Sequence, residues 1–307
     1  MLTIIHSPRI ADHLTPPGHP ERPERAETMT RVVERFRVGG GRVIEPRRAT
    51  DDDLHRVHTP EYVQSITAAR GRAVMLDADT FTSPDSEDIA RLAAGAVLTG
   101  VDAVLEGRSG SRALAVVRPP GHHAESDRAM GFCLYNNIAI GAAYARSRGC
   151  ERVAILDYDV HHGNGTQSTF YEDPTVLFVS SHQYPFYPGS GGADETGRGA
   201  GVGFTLNLPL AAGTRDAEVI ARYEQEALPL VERFRPSLMM VSAGFDADER
   251  DPLAGLRMTS AGFRSLTGML VSAADRFCGG RMVLVTEGGY DLAALEEGLQ
   301  AVIDTAK

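Results

Sequence analysis

The stretch Arg152-Val-Ala-Ile-Leu156, continued by Asp157-Tyr-Asp-Val-His-His-Gly-Asn-Gly165, decides the fold. A short apolar run breaks abruptly into carboxylates, imidazoles and glycines, as happens where a buried parallel strand ends at a functional rim. Similar runs rich in Val, Ile and Leu recur at Leu2–Ile5, Arg112–Val117, Thr175–Val179, Gly203–Leu208, Ser237–Val241 and Arg281–Val285. Between them lie helical patterns at Ser86–Glu106, Asn136–Arg148, Asp216–Phe234, Ser260–Phe277 and Leu292–Ile303. This alternation predicts an α/β protein with a doubly wound parallel sheet and helices on both faces. Ligands of such a sheet sit beyond the carboxyl ends of its strands. Arg118-Pro-Pro-Gly-His-His123, Asp157-Tyr-Asp-Val-His161, Ser180-Ser-His182, Ala243-Gly-Phe-Asp246 and Glu287-Gly-Gly-Tyr290 each follow an apolar run directly. They are expected to converge on one rim.

A chain of 307 residues, 42% hydrophobic, buries a large core without demanding a second unit, so residues 1–307 are read as a single domain. Its net charge of -10 works against nucleic-acid binding, which depends on cationic side chains, and weakly favours cationic partners. Cys133, Cys150 and Cys278 are odd in number and lack close pairing, so neither a disulfide framework nor a cysteine zinc site is expected. With no leader-like or membrane-length apolar segment, the protein is expected to be soluble and cytoplasmic, with no membrane partner. Glycines crowd Gly189–Gly203, but this stretch precedes a strand and lacks a Gly-Lys-Ser/Thr ending. It reads as a flexible surface loop rather than a phosphate cradle.

Asp159 and His161 stand two residues apart at a strand end, where alternate side chains of an extended chain point the same way. Asp246 stands at the equivalent end of another strand. Two carboxylates and an imidazole make a zinc site with one position left open for water, which is the arrangement of a catalytic ion. Taken singly, Asp159 could instead cap the helix starting near Asn164, His161 could be a hydrogen-bonded core histidine, and Asp246 could begin a turn. His122 and His123 follow a stiff Pro-Pro-Gly segment and can serve one bound water as proton acceptor and donor. Asp157 is the expected partner of His122, and Asn164 of His123, each fixing a tautomer. The other reading makes one of these histidines a metal ligand and leaves the second structural. Tyr290, after two glycines, can turn its hydroxyl toward a developing oxyanion, or can simply be a packed ring in a turn.

Together with Gly131-Phe-Cys133 and the opening Gly18-His-Pro-Glu-Arg-Pro-Glu-Arg25, these motifs resemble the histone deacetylase superfamily, in the family's order and over nearly the whole chain. Asn164 and the opening segment resemble its class II branch, with bacterial relatives acting on acetyl-lysine or acetylpolyamines. The resemblance implies an arginase-like fold and one Zn2+ held by Asp159, His161 and Asp246. It also implies His122 and His123 as the acid/base pair and Tyr290 as oxyanion partner. Phe132 and Tyr187, beside Gly131, would wall a narrow channel, with tyrosine where many members carry phenylalanine. A K+ site would use Asp157 and Ser180, with backbone carbonyls of Asp159, His161 and Ser181. Asp79 would hold substrate backbone at the mouth, or instead cap a helix or order its loop. Arg25 resembles an inner arginine near a product-release cavity, or is a surface salt bridge. Leu253 takes a place where polyamine-selective relatives carry an acidic gatekeeper.

The expected function is removal of an acetyl or short acyl group from a lysine side chain in a peptide or protein, with an acetylated polyamine as the alternative substrate. A two-manganese ureohydrolase using Asp246 and Asp248 ranks lower, because Gly163 stands where a further metal carboxylate is needed. A silent acetyl-lysine reader also ranks lower, since every ligand, histidine and tyrosine is present. Oligomeric state is not legible.

Overall fold

The computed structural model describes residues 1–307. In chain order the elements are β1 (Leu2–His6), α1 (Glu24–Val38), β2 (Arg42–Ile44), α2 (Asp51–Leu54), α3 (Pro60–Ala68), β3 (Val74–Met75) and β4 (Phe81–Thr82). Then come α4 (Ser86–Leu105), β5 (Arg112–Val116), α5 (Asn137–Ser147), β6 (Val153–Asp157), α6 (Asn164–Phe170), β7 (Val176–Gln183) and β8 (Thr205–Leu210). The remainder is α7 (Asp216–Arg222), α8 (Leu228–Phe234), β9 (Leu238–Ala243), α9 (Ser260–Cys278), β10 (Met282–Thr286) and α10 (Leu292–Ala306).

Eight strands form one parallel sheet in the order β2-β1-β5-β10-β9-β6-β7-β8, and β3 and β4 make a small antiparallel hairpin apart from it. Because strand residues alternate between faces, each strand feeds two cores. Leu114, Val116, Leu156 and Val241 join residues of α1, α9 and α10 on one side, while Ala113, Ala115, Ile155 and Met240 join residues of α4 and α5 on the other. Both faces are therefore covered, which explains why the strands read as unbroken apolar runs. The arrangement is the expected arginase-like α/β fold.

Three parts of the sequence reading need adjustment. The edge strand β2 and the β3–β4 hairpin were not foreseen: they are two or three residues long and mostly exposed or half-buried, too short for a period to show. The amphipathic helix α1 and the short helices α2 and α3 likewise lie outside the expected set. The helix expected over Asp216–Phe234 is interrupted by a π-type turn at Tyr223–Ala227 just before Pro229, whose missing N–H cannot complete the regular ladder. No helix is long and apolar enough to cross a membrane, and Cys133, Cys150 and Cys278 are all unpaired and buried.

Candidate active site

The five polar clusters follow, or in the case of β7 end, the adjacent strands β5, β10, β9, β6 and β7, so the sheet itself brings them together. Asp157 closes β6, and Asp159 and His161 extend beyond it. One ligand atom each from Asp159, His161 and Asp246 lies within 4.8 Å of the others, and all three residues are buried. His161 Nδ1 is 3.2 Å from Asp159 Oδ1 and 3.2 Å from Asp246 Oδ2.

Of the ordinary readings, helix capping by Asp159 falls away, while His161 is a buried histidine hydrogen-bonded to Asp159 Oδ1 and Asp246 stands at the start of a turn. Helix α6 has no side-chain cap; Asp159 instead accepts the backbone N–H groups of His161 (2.9 Å) and Gly288 (2.8 Å). Asp246 Oδ1 accepts the Val160 N–H at 3.0 Å, whereas its buried Oδ2 makes no hydrogen bond of good geometry, although His161 Nδ1 lies 3.2 Å from it. A poorly paired carboxylate oxygen in a closed interior is costly unless a cation meets it. Burial disfavours charge on His161, yet the two carboxylates beside it raise its pKa to about 10. The pocket thus favours positive charge between two acids, and these residues fit a divalent cation.

His122 and His123 lie next to the triad, with ring centroids 4.1 Å apart. Their Nδ1 atoms have the expected partners, Asp157 Oδ2 at 2.9 Å and Asn164 Oδ1 at 2.7 Å. The two partners act differently. Burial opposes protonation of His122, but the carboxylates of Asp157 and Asp159 prevail and raise its pKa well above the ordinary value. Burial lowers the pKa of His123, and neighbouring His122 and His161 lower it further. Since the Asn164 carbonyl oxygen accepts from Nδ1–H, the Nε2 of neutral His123 carries the free lone pair. Burial raises Asp157 to about 6.

Above this floor, a cavity of about 230 Å³ is walled by Asp79, Gly131, Phe132, Phe186, Tyr187 and Leu253 and reaches His123, His161 and Tyr290. Phe132 takes a left-handed backbone (φ 68°) after Gly131 (φ 56°), where a Cβ would fall 2.3 Å from the His123 ring. Glycine is required there by close approach. Tyr187 meets His123 edge-on at 5.3 Å, and Phe132 meets Tyr290 at 5.7 Å. Tyr290 is buried, and burial raises its pKa well above the usual value, so it stays a donor.

The weaker expectations resolve as follows. Arg25 is fully buried, which excludes a surface salt bridge: it donates to Gly289 O and Glu287 O, each at 2.6 Å, and to Glu21 Oε1 at 2.6 Å. Asp79 caps no helix, for it sits in the turn between β3 and β4, half-buried at the cavity mouth. Asp77 orders that loop by accepting the N–H groups of Asp79 and Thr80, and Asp79 contributes to the ordering by accepting the Thr80 hydroxyl at 3.2 Å. Ser180 is the register partner of Asp157 across β6 and β7, and its hydroxyl pairs with His182 Nδ1 at 2.9 Å; the Ser181 hydroxyl pairs with Tyr223. The glycine-rich segment is irregular but tethered, since Glu195 accepts the N–H groups of Gly191 and Gly192 that a phosphate would need.

Phe186 and Glu287 were not assigned roles from sequence. Phe186 stacks on His161 at 5.7 Å, and its place beside Tyr187 was the available signal. Glu287, raised to about 7 by burial, accepts the Gly121 N–H at 2.7 Å and fixes the loop carrying both histidines. Only the fold shows that β10 faces that loop.

Comparison with known proteins agrees with this geometry. Residues 19–306 match the histone deacetylase domain. A histone deacetylase-like amidohydrolase of Pseudomonas aeruginosa is 44% identical over 285 residues, covering 90% of this chain and 73% of that protein. The human polyamine deacetylase HDAC10 is 41% identical over 301 residues, covering 92% of this chain and 44% of that protein. The crystal structure of the HDA15 HD domain superimposes with a TM-score of 0.93 at 37% identity, over 99% of this chain and 89% of that one. The chain belongs to the histone deacetylase family. It is a hydrolase of acetylated amides.

Proposed function

We propose that this chain is a zinc-dependent deacetylase whose preferred substrate is an acetylated lysine side chain of a peptide or protein. The observation that carries the reading is the meeting of Asp159, His161 and Asp246, with the poorly paired Asp246 Oδ2, at the foot of a narrow aromatic channel. Zinc bound by those three residues would polarise the acetyl carbonyl and acidify the attacking water.

The remaining chemistry belongs to the protein. His123 Nε2, neutral and unshared, accepts the water's proton, while Asn164 holds its tautomer. His122, charged beside Asp157, stabilises the negative charge that develops. Tyr290 donates its hydroxyl to the acetyl oxygen as it becomes an oxyanion. The proton held by His123, with or without help from His122, passes to the departing amine, giving acetate and a free amine. Phe132, Phe186 and Tyr187 enclose the alkyl stem and exclude water. A K+ ion beneath the site would use Asp157 and Ser180, with the carbonyls of Asp159, His161 and Ser181. Asp79 would meet substrate backbone at the mouth, and Arg25 would act near the product-release path.

The lysine preference rests on Leu253, whose apolar side chain at the channel mouth cannot itself pair with a distant ammonium, which leaves Asp79 as the carboxylate lining that cavity. The human polyamine deacetylase relative keeps the alternative open to test. Side-by-side kcat/KM on an acetyl-lysine peptide and an acetylated polyamine decides it: a peptide preference of about tenfold, worth about 1.4 kcal/mol, is expected, and a polyamine preference overturns it.

A dinuclear ureohydrolase is opposed by two observations. Asp248 is held in a two-pronged pair by Arg250, and a Cβ at Gly163 would lie 2.3 Å from Asp157 Oδ2, leaving no room for another acid.

A further inference from the structure

The loop after β9 carries Leu253 at the channel mouth, and the loop after β10 carries Tyr290 at its floor; a single buried carboxylate joins them. Asp251 Oδ1 accepts the Leu253 N–H at 3.0 Å. Its Oδ2 accepts the Tyr290 N–H at 2.7 Å and the Asp291 N–H at 3.2 Å. Asp291 in turn caps α10 by accepting the Ala294 N–H at 2.8 Å. An ordinary Asp turn would need only the bond to Leu253. The two bonds of Oδ2 reach a different strand connection, 39 and 40 residues away.

Tyr290 needs this help. It follows Gly288 and Gly289, the latter at φ 129°, so its own chain does little to fix its position. Arg25 grips the carbonyls of Glu287 and Gly289 on one side and lies 5.0 Å over the tyrosine ring. Asp251 grips the tyrosine's own N–H, so the backbone around Tyr290 is clamped from both sides.

We infer that Asp251 is a positioning residue that sets the Tyr290 hydroxyl against the substrate and couples it to the Leu253 rim. The inference rests on the proposed role of Tyr290 as oxyanion donor. Asp251→Asn is the informative change, because an amide keeps one acceptor oxygen and turns an N–H2 toward at least one of the backbone N–H groups now satisfied.

The test is a double-mutant cycle of Asp251→Asn with Tyr290→Phe in the zinc-loaded full chain, using whichever of an acetyl-lysine peptide or an N-acetylated diamine is turned over faster. Metal content and Tm establish that each variant is folded and loaded. The expected result is a loss of about tenfold in kcat with KM within about threefold in the Tyr290 protein, and a further loss below twofold in the Tyr290→Phe protein. Equal losses in both backgrounds, or an unchanged kcat, overturn the inference while leaving the role of Tyr290 intact. Full activity of Tyr290→Phe alone overturns that role and the inference with it. Should Asp251→Asn fail to fold, Asp251→Glu, which keeps the charge but misplaces the oxygens, is read by the same cycle and the same criteria.

Discussion

The floor and the rim of the channel are built on different principles. The floor is set by strand ends: Asp157, Asp159, His161 and Asp246 are all buried, and backbone N–H groups or paired side chains hold every one of them. The rim is set by loops: Tyr187 is 38% exposed, Leu253 and Asp79 are half-buried, and a wider cleft of about 690 Å³ opens beside Leu253 and Tyr290 between the N-terminal loop and the loop after β9. Strand register fixes reacting groups closely because a shift would disturb the whole sheet, whereas loop length and sequence can change without that penalty. The chemistry is therefore expected to tolerate nothing at the floor, and substrate choice to be adjustable at the rim.

Breaking the floor should give the largest effect. Asp246→Asn removes a metal-binding carboxylate and is expected to abolish both zinc uptake and turnover, a greater loss than the roughly 10–100-fold typical of outer partners of a metal site. Metal analysis with steady-state assay checks it, and a variant retaining stoichiometric zinc and activity would remove Asp246 from the site. Next comes Tyr290→Phe, where loss of one oxyanion donor costs about 3–4 kcal/mol, or roughly two to three orders of magnitude in kcat. Asn164→Ala should be milder, about tenfold in kcat, because it frees the His123 tautomer without removing the imidazole. At the rim, Leu253→Glu should shift the kcat/KM ratio toward the acetylated polyamine by no more than about fivefold, since an exposed ion pair is worth about 1 kcal/mol at most.

A last comparison concerns stability rather than catalysis. His13 and His58 are buried away from the metal triad, and burial lowers both to about 4. The folded form binds these protons less readily than the unfolded chain does. Their contribution is therefore complete above the ordinary histidine pKa of about 6.5 and is lost as pH falls from there toward 4. Each group should cost about 1.4 kcal/mol per pH unit in that window. NMR titration of the two imidazoles in the folded protein checks this, and a ring that gains its proton at its ordinary pKa has no part in it; Tm alone also carries Asp157 and Glu287, which titrate in the same window with the opposite sign.

Much of the floor was legible because its motifs are local. Asp157, Asp159 and His161 lie within five residues, but β6 ends at Asp157, and a bend in which Asp159 Oδ1 accepts the His161 N–H, rather than the period of an extended chain, brings the latter two together. The pairings His122–Asp157 and His123–Asn164 form although β5 and β6 are not neighbours: β10 and β9 lie between them, and the loop after β5 reaches across to the end of β6. What escaped was contact between segments far apart in sequence. Arg25 seemed a candidate for the surface because α1 was not recognised, yet it is sealed among Glu21, Arg118 and the β10 loop. The Asp251 bonds to Tyr290 cross 39 residues and leave no periodic trace.

The sequence by itself determined the alternation of strands and helices, the residues that can hold a cation, and the family they resemble, because hydrophobic period and short motifs are written along the chain. Tertiary structure alone decided that Phe186 stacks on His161, that Glu287 braces the histidine loop, and that Asp251 links the rim to the floor. Those contacts depend on which strands are neighbours in the sheet, and the order β5-β10-β9-β6 is a property of packing that no local pattern encodes.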